Sequence, residues 1–380
     1  MPKQRYSSAE TVLDAARRRI AFVFDNYERV ICSISGGKDS TVLAHLALVE
    51  AHKRGRKLGL FLLDEEAMYQ SSIEQAEYMM GLYPENTTPL WLQVPFYLTN
   101  ATSVAEGQLR CWEPGEHKLW MRPKRETAIK FKPWTEAEER FRSGYSWLDF
   151  YGTIENFARG YENTAFLVGL RASGEHLNRW RAVVKNPVKI GGKNIYWGTK
   201  KGKNESLYPI YDWQFHDVWR YIADQQLKYS KIYDLQWRKG YTLNEMRVSS
   251  LIHEKSFKSI CDLPEFEPKT YERLLKRVKG IALAQETGKN EKLFKCRKLP
   301  KNYASWAAYR DFLLATHADT ARRQIFAERF KKHLENEYVA RQQCRQLILN
   351  DYENNLRVDN QPDPREALMA RHLAYYEEVL

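Results

Sequence analysis

Short, mostly apolar runs alternate with amphipathic segments over the first half of the chain. The runs lie at residues 30–34, 58–63, 90–94 and 164–170, and their composition predicts buried strands. The segments between them that repeat apolar positions at helical spacing lie at residues 8–26, 41–48 and 71–80. Strands that alternate with helices predict an α/β fold, with an open, mostly parallel sheet and helices on both faces.

The last third of the chain has a different pattern. From about residue 269 it is charged and repeats apolar positions at helical spacing, which predicts helices at 271–284, 303–316, 318–335 and 337–350. We therefore predict two domains. Residues 1–250 form the α/β domain, with a long irregular insertion at 95–134 and a basic hairpin at 185–204, and residues 251–380 form a C-terminal α-helical domain.

Composition and charge narrow the class of protein. No apolar run is long enough to span a bilayer and residues 1–8 lack a signal-peptide core, so we expect a cytoplasmic location. The five cysteines include no C-x-x-C pair, which argues against a disulfide framework or a zinc ribbon. The formal net charge of +12 leaves a polyanionic partner and a simply solvated basic surface equally open.

The basic hairpin is the best local candidate for a polyanion contact. Residues 185–204 are rich in lysine and glycine around a short apolar centre, which predicts a hairpin with exposed basic tips. Nucleic acid would bind through the stretch from Lys185 to Lys203. The alternative is a solvated hairpin with no partner.

The most informative stretch is a six-residue loop between the first strand and the helix that follows it. It reads Ser35-Gly36-Gly37-Lys38-Asp39-Ser40. Two glycines allow a sharp turn that exposes backbone N–H groups, and the helix start adds unpaired donors and a partial positive charge. Two hydroxyls and the Lys38 charge complete what we interpret as a phosphate cradle. The Walker-type spacing G-x-x-x-x-G-K-[ST] is absent.

This hexapeptide resembles the SGGxDS loop of the PP-loop ATP pyrophosphatases, also called nucleotide alpha hydrolases. The resemblance implies an adenine nucleotide alpha hydrolase-like fold. It also implies that ATP is cleaved between its α- and β-phosphates, that AMP is transferred to a substrate and that the loop holds the pyrophosphate. ATP, or a related adenosine nucleotide, and Mg²⁺ are the expected cofactors.

Two further strand ends carry candidate ligands. Asp64 and Glu66 follow the second strand, and Gly169 and Arg171 follow the fourth. In open parallel sheets the ligand lies beyond the carboxyl ends of the strands. This favours Asp64 as a partner of a ribose hydroxyl or of Mg²⁺, and Arg171 as a planar phosphate clamp. The alternatives are acidic residues that simply precede the next helix, and an arginine paired with a surface carboxylate.

A second set of motifs sharpens the resemblance. Residues 209–222 read Pro-x-x-x-Trp-x-x-x-Asp-Val-Trp-x-Tyr-Ile and residues 229–234 read Tyr-x-x-Ile-Tyr-Asp. Both look like the second half of the phosphoadenosine phosphosulfate (PAPS) reductase family, and the resemblance covers about residues 28–250. Residues 241–249 fit the uncharacterised branch that includes the immunoglobulin-binding regulator proteins. Such proteins often accompany a ParB-like partner, which is thus implied by resemblance only.

The chain departs from the true reductases at its cysteines. Those enzymes carry a reactive cysteine in a C-terminal Glu-Cys-Gly-x-His motif, whereas residues 373–380 contain neither cysteine nor glycine. Cys111, in the long insertion, is the only serious candidate for a reactive thiol, and it has no partner cysteine nearby in sequence. We therefore expect no thiol-dependent reduction of PAPS. The insertion itself is either a lid over the nucleotide or a surface insertion.

Three functions follow, in order of preference. The first is a PP-loop enzyme that acts at the α-phosphate of ATP, the second a nucleotide-binding regulatory module that binds DNA or a ParB-like protein, and the third a sulfonucleotide reductase. The predicted catalytic residues are Lys38, Asp39 and Arg171, and the predicted Mg²⁺ ligands are Asp39 and Asp64. The predicted nucleotide-binding residues are Ser35, Gly36, Gly37, Lys38, Asp39, Ser40, Asp64, Glu66, Gly169 and Arg171.

Overall fold

The computed structural model describes residues 10–103, 106–128, 148–161, 163–172, 187–201, 204–243, 245–248, 250–253, 256–287, 299–352, 354, 356 and 358–361. The chain forms two compact units. The first comprises Met1–Leu98, Arg110–Leu251 and Pro264–Arg273, and the second comprises Thr99–Leu109, Ile252–Leu263 and Leu274–Leu380. Each unit is thus assembled from separate stretches of sequence, whereas the predicted domains, 1–250 and 251–380, are continuous.

A six-stranded sheet lies within the described part of the first unit. Its strands are β1 (Arg29–Ser33), β2 (Leu58–Leu63), β3 (Thr87–Leu92), β6 (Thr164–Leu167), β9 (Gly198–Lys201) and β10 (Asn204–Leu207). The order is β3-β2-β1-β6-β10-β9, and neighbours run parallel except β9, which is antiparallel to β10. The predicted α/β fold with a mostly parallel sheet is confirmed.

Two smaller strand pairs lie in the connections. β4 (Phe96–Thr99) pairs with β5 (Gln108–Cys111), and a 3₁₀ helix, Pro114–Glu116, follows. β7 (Val188–Ile190) and β8 (Lys193–Ile195) form an antiparallel hairpin.

Two sequence predictions are corrected by these pairs. The segment 95–134 is not irregular throughout, because alternate residues of β4 and β5 are buried and the others are more exposed, as in ordinary strands. The predicted single hairpin at 185–204 is two hairpins, β7–β8 and β9–β10, and the second belongs to the main sheet.

Helices cover both faces of the sheet, as predicted. Among the described residues, the helices that lie wholly within the first unit are α1 (Val12–Asn26), α2 (Lys38–Lys53), α3 (Gln70–Gly81), α4 (Phe150–Arg159), α5 (Phe215–Asp224) and α6 (Ile232–Arg238). On one face, Val30, Cys32 and Leu60 share a hydrophobic core with residues of α1, α2, α3 and α5. On the other face, the Phe61 ring of β2 stacks on Phe157 of α4, with ring centroids 4.4 Å apart.

From residue 257 onward, the described residues of the second unit form helices and the turns between them, which confirms the predicted C-terminal helical region. Two helices, α7 (Phe257–Phe266) and α8 (Pro268–Arg277), have residues in both units. The others are α9 (Ile281–Thr287), α10 (Trp306–Ala315), α11 (Thr320–Phe330) and α12 (Glu337–Ile348). Phe326, Phe330 and Leu347 form a small core between α11 and α12. None of the helices among the described residues is long and apolar enough to cross a lipid bilayer.

Candidate functional site

The glycine loop, residues 35–40, joins the end of β1 to the first turn of α2. Gly36 has φ +72°, in the left-handed region, and a Cβ on it would clash with the Ser72 carbonyl oxygen of α3. Only glycine fits this position without a shift of the helix. Gly37 is the N-cap of α2 and makes no side-chain capping bond, so the start of the helix is left open for another acceptor.

Hydrogen bonds fix the backbone of the glycine loop and leave several donors available. Ser40 Oγ accepts from the Ser35 N–H (3.2 Å) and donates to the Gly37 carbonyl (3.0 Å), and the Lys38 N–H donates to the Tyr233 hydroxyl oxygen (3.1 Å). Within the part of the chain that the structure describes, no acceptor takes the N–H groups of Gly36, Gly37, Asp39 and Ser40. Backbone donors that converge at a helix start form an anion-binding concavity.

Three charged side chains meet beside the glycine loop. The Asp39 carboxylate lies 2.5 Å from Arg171 Nε and 3.4 Å from Lys38 Nζ. Lys38 is 7% exposed, and its ammonium lies over the rings of Phe215 and Tyr233, 5.5 and 5.2 Å from their centroids. Burial lowers the pKa of Lys38, and the Asp39 charge opposes that shift. The ammonium is therefore held largely dehydrated, against two aromatic rings and one carboxylate.

Gly169 lets the end of β6 approach the first turn of α2. A Cβ on Gly169 would lie 2.9 Å from the Ser40 backbone nitrogen and 3.0 Å from the Asp39 carbonyl carbon. Because Gly169 has no side chain, the two backbones can be this close. Arg171, two residues later, then reaches the Asp39 carboxylate. Gly169 thus shapes the site through packing, and its contact with a nucleotide stays a prediction.

A cleft of about 870 Å³ opens beside the glycine loop. Ser35, Gly37, Asp39 and Ser40 line it at the carboxyl ends of the strands. Its apolar walls come from the sheet and α4, and they include Phe61, Leu63, Phe166, Val168, Tyr151 and Ile154. Polar side chains line it toward β9 and β10, namely Thr199, Asn204, Ser206 and Tyr208. The volume is typical of small-molecule sites, which are mostly apolar with a few convergent polar groups.

Asp64 is fully buried and its carboxylate is saturated by protein donors. One oxygen accepts from Trp91 Nε1 (3.0 Å) and Gln93 Nε2 (2.9 Å). The other accepts from the Glu66 N–H (3.0 Å) and pairs with the Arg122 guanidinium. Four donors satisfy the carboxylate within the fold. Its role as a ribose or Mg²⁺ ligand stays a prediction that this arrangement does not favour.

Glu66 anchors a later part of the chain. It is fully buried with φ +58°, and its carboxylate oxygens accept from the N–H groups of Trp112 (2.6 Å) and Met121 (3.3 Å). Trp112 is also buried, with φ +55°, and its Nε1 donates to the Asp64 carbonyl (2.6 Å). Asp64 and Glu66 therefore hold residues 112–122 against the end of β2. This part of the predicted insertion is packed and is not a surface decoration.

Cys111 lies inside this anchored region. Its side chain is fully buried, and its Sγ donates to the Glu65 carbonyl at 3.3 Å. Cys32, in β1, is also fully buried, and burial raises the pKa of its thiol. Burial opposes formation of the thiolate, which is the reactive species. Cys344 is buried, Cys261 is half-buried, and Cys296 lies outside the described residues.

Three neighbours of the glycine loop have no role in the sequence-based prediction. Tyr233 is buried and accepts the Lys38 N–H. Val248 Cγ2 lies 3.5 Å from the position of a Cβ on Gly37. Burial lowers the pKa of Lys38 and raises that of Tyr233, and the charge of Arg247 makes a smaller contribution that lowers both. All three belong to the segments 229–234 and 241–249, which resemble family motifs in the sequence. Those motifs were therefore the available sign that these residues lie near the site.

Two family profiles and one curated relative match large parts of the sequence. The sequence profile of the phosphoadenosine phosphosulfate reductase domain matches residues 29–268, and that of a domain of unknown function (DUF3440) matches residues 240–344. The uncharacterized protein YbdN of Escherichia coli (strain K12) is 27% identical over 312 residues, which is 80% of this chain and 74% of that protein.

A solved structure of PAPS reductase from Candida auris, a phosphate complex, is similar with a TM-score of 0.35 and 11% identity. The similarity covers 58% of this chain and 84% of that one. The ParB-like partner implied by the sequence stays a prediction. Because the reductase-domain profile covers more than half of its residues, the chain belongs to the phosphoadenosine phosphosulfate reductase domain family.

Proposed function

We propose that this chain binds ATP, or a related adenosine nucleotide, and cleaves or transfers it at the α-phosphate. The observation that carries the proposal is the anion-binding concavity of the glycine loop, which opens into a cleft of about 870 Å³ with apolar walls. Phosphates would bind at the loop, and the adenine base would lie between the sheet and α4. Membership of the reductase-domain family supports an adenosine nucleotide as the ligand.

In the proposed reaction an oxygen nucleophile, from water or from an acceptor substrate, forms a bond to the α-phosphorus. The bond from that phosphorus to the bridging oxygen breaks, and pyrophosphate leaves with the electron pair. Negative charge grows on the leaving oxygen, where fixed donors and cations stabilise it most. The open N–H groups of the glycine loop, Lys38 and Arg171 would supply this stabilisation, and they would also hold the reacting groups in line.

We assign the role with Mg²⁺ to Asp39 in preference to Asp64, whose part in metal binding stays a prediction. Mg²⁺ usually binds nucleotides through phosphate oxygens together with one or two protein carboxylates. Asp39 lines the cleft, whereas all four donors around Asp64 come from the protein. Among the described residues no group of three or more His, Cys, Asp or Glu side chains is arranged to hold a metal. The ion would therefore arrive with the nucleotide and neutralise phosphate charge.

The direct test is incubation with ATP and Mg²⁺, followed by separation of the products. We expect AMP and pyrophosphate from the wild type and from Arg238→Ala, whose arginine is exposed in the last turn of α6. Arg171→Ala should weaken ATP binding far more than adenosine binding, and Arg171→Lys should recover only part because lysine lacks the planar fork. ADP and phosphate as products, or equal losses for ATP and adenosine, would contradict the proposal.

Thiol-dependent reduction of a sulfonucleotide is the least favoured alternative. It needs an accessible thiolate, and Cys111 is buried with its thiol bonded to a backbone carbonyl. Cys111→Ser should therefore keep nucleotide binding and any release of pyrophosphate. If the wild type formed sulfite from PAPS with thioredoxin, and Cys111→Ser did not, the reductase would replace our proposal.

A second candidate function is binding of a polyanion such as nucleic acid at the opposite edge of the sheet. A cleft of about 770 Å³ lies at the amino ends of β1 and β2, and its charged lining residues are Arg29, Arg56, Lys57, Lys189, Lys200, Glu28 and Glu205. Five cations thus face two carboxylates. Lys189 and Lys200 belong to the predicted nucleic-acid stretch, whereas Lys185 and Lys203 lie outside the described residues. A regulatory module would use this edge.

A further inference from the structure

Among the described residues that line the cleft beside the glycine loop, Lys38 is absent, although its neighbours Gly37 and Asp39 are present. Lys38 is buried, and its ammonium lies instead over the rings of two residues from other helices. These are Phe215, the first residue of α5, and Tyr233, the second residue of α6. The position of the Lys38 charge is therefore set by α5 and α6, behind the loop.

Phe215, Trp219 and Tyr233 form an aromatic cage around this ammonium. The Lys38 Nζ lies 5.5 Å from the centroid of the Phe215 ring and 5.2 Å from that of Tyr233, distances at which a ring face attracts a cation. Trp219 packs against both rings, with its centroid 6.1 Å from that of Phe215 and 5.3 Å from that of Tyr233. The two rings that face the ammonium are thus themselves held in place.

Tyr233 makes a second and separate contact with Lys38. Its hydroxyl oxygen accepts the Lys38 backbone N–H at 3.1 Å. The same hydroxyl lies 3.6 Å from the position of a Cβ on Gly37, the N-cap residue of α2. The ring of Tyr233 therefore acts on the charge of Lys38, whereas the hydroxyl acts on the backbone of the loop. Substitutions of Tyr233 can separate these two effects.

The charge of Lys38 depends on its neighbours because little water reaches it. Burial lowers the pKa of Lys38, the Asp39 carboxylate at 3.4 Å favours the ammonium, and the charges of Arg171 and Arg247 oppose it. The attraction between a cation and a ring face is strongest where the cation has lost its water. The two rings therefore act in the same direction as Asp39.

We propose that Phe215 and Tyr233 are positioning residues for Lys38, whose ammonium their rings keep charged and hold behind the glycine loop. From there the charge acts on the leaving pyrophosphate through a region of low dielectric. The proposal rests on the proposed function and deepens it, because it assigns residues that maintain the Lys38 charge. It also gives a role to two sequence motifs, since the cage residues lie within 209–222 and 229–234.

The test compares Phe215→Leu and Tyr233→Leu, which remove a ring, with Tyr233→Phe, which removes only the hydroxyl. Trp237→Leu, at an exposed aromatic position of α6, is the control. NMR of the lysine side chains would follow the titration of Lys38 without nucleotide, with its signal assigned by comparison with Lys38→Met. Thermal unfolding would confirm that each variant folds.

We expect both leucine variants to lower the pKa of Lys38, and Tyr233→Phe and Trp237→Leu to leave it unchanged. Release of AMP from ATP requires the charged ammonium, so the pH above which turnover falls should move down in the leucine variants. Above that pH their turnover should be roughly tenfold below that of the wild type, because the attraction of a ring for a dehydrated cation corresponds to such a factor.

An unchanged Lys38 pKa in both leucine variants would overturn the proposal. An equal decrease in Tyr233→Phe and Tyr233→Leu would also overturn it, since the hydroxyl and not the ring would then be responsible. If neither leucine variant folds, the folded Phe215→Met decides in the same way. A wild type that forms no AMP from ATP contradicts the proposed function, and it leaves the measured effect of the rings on Lys38 intact.

Discussion

Gly36 shows how much of the candidate site depends on one residue without a side chain. Its φ of +72° and its contact with the Ser72 carbonyl both require glycine. Gly55 has a similar φ of +62°, but a Cβ on it would meet nothing within 4 Å. Alanine substitutions at Gly55 and Gly36 therefore distinguish the cost of backbone strain alone from the cost of strain together with a steric clash.

We expect Gly55→Ala to cost about 1 kcal/mol of unfolding free energy from strain alone. Gly36→Ala should cost about 1 kcal/mol more, because α3 must also move, and it should abolish nucleotide binding. Denaturant unfolding and calorimetry measure the two effects. Normal nucleotide affinity in Gly36→Ala would show that this loop is not the anion site.

His45 of α2 gives the fold a pH dependence with a definite sign. It is buried, its Nδ1 lies 2.9 Å from the Tyr221 hydroxyl, and burial lowers its pKa below the ordinary 6.5. As pH falls through 6.5, the unfolded chain takes up the proton first. The free energy of unfolding should therefore decrease from about pH 6.5 down to the lowered pKa and be level below it.

Urea unfolding between about pH 5 and 8, the range in which histidine titrates, checks this expectation. His45→Gln should lose the dependence. His216→Gln should keep it, because the His216 side chain is 80% exposed. The same slope in His45→Gln as in the wild type would assign the dependence to other groups.

Among the secondary-structure elements, the predictable strands are those with apolar side chains on both faces. β2 was predicted with its observed bounds, Leu58–Leu63, because all six residues are buried. β10 was missed, since Asn204, Glu205 and Ser206 give it no apolar pattern. Asn204 and Ser206 line the candidate cleft, so the strand that the pattern hides is one that contributes polar groups to the site.

The sequence also located the acidic residues after β2 without revealing their partners. The rule for parallel sheets put Asp64 and Glu66 at the correct edge. Apart from the Glu66 N–H, which is local, the donors that satisfy them come from about 25 to 60 positions later in the chain, for example Trp112 and Arg122. Likewise Tyr233 meets Lys38 across 195 positions. A pattern within a short stretch of sequence cannot predict contacts between residues this far apart in the chain.

Glu66→Gln should loosen the anchored segment 112–122. The amide would put an NH₂ group against one of the two N–H donors, from Trp112 or Met121, and the buried unsatisfied pair should cost about 1–3 kcal/mol. Chemical unfolding measures the loss, and tryptophan fluorescence reports the burial of Trp112. Glu74→Gln, at an exposed position of α3, is the control.

Unchanged stability together with lost nucleotide affinity in Glu66→Gln would reverse this interpretation. Glu66 would then be the nucleotide ligand that the sequence suggested. If Glu66→Gln lowers the stability but the folded protein keeps its nucleotide affinity, the role of Glu66 is to anchor residues 112–122.

On the scale of the whole molecule, the net charge of +12 supports a polyanionic partner only if the cations are concentrated on one surface. Parallel strands give the first unit two chemically different edges. The carboxyl edge carries the glycine loop and its cleft, and the amino edge carries the basic cleft of about 770 Å³. At that edge the Arg56 guanidinium is committed to the backbone carbonyls of Phe24, Tyr27 and Glu28, so it supports the fold.

Lys57 and Lys189 are exposed cations of the amino-edge cleft, and they are the residues to reverse. If single-stranded DNA binds there, Lys57→Glu/Lys189→Glu should weaken it at every sequence and reduce the slope of log affinity against log salt by about two. Lys53→Glu/Lys231→Glu makes the same change of charge at exposed positions outside the cleft, and it should leave most of the slope in place.

Fluorescence anisotropy across a salt series measures the slope of each double variant. ATP turnover should be the same in the wild type and in both double variants, because none of these four lysines lines the glycine-loop cleft. Two results would contradict DNA binding at this edge: no binding of DNA by the wild type at low salt, or equal salt slopes in the two double variants. The basic edge would then be a solvated surface.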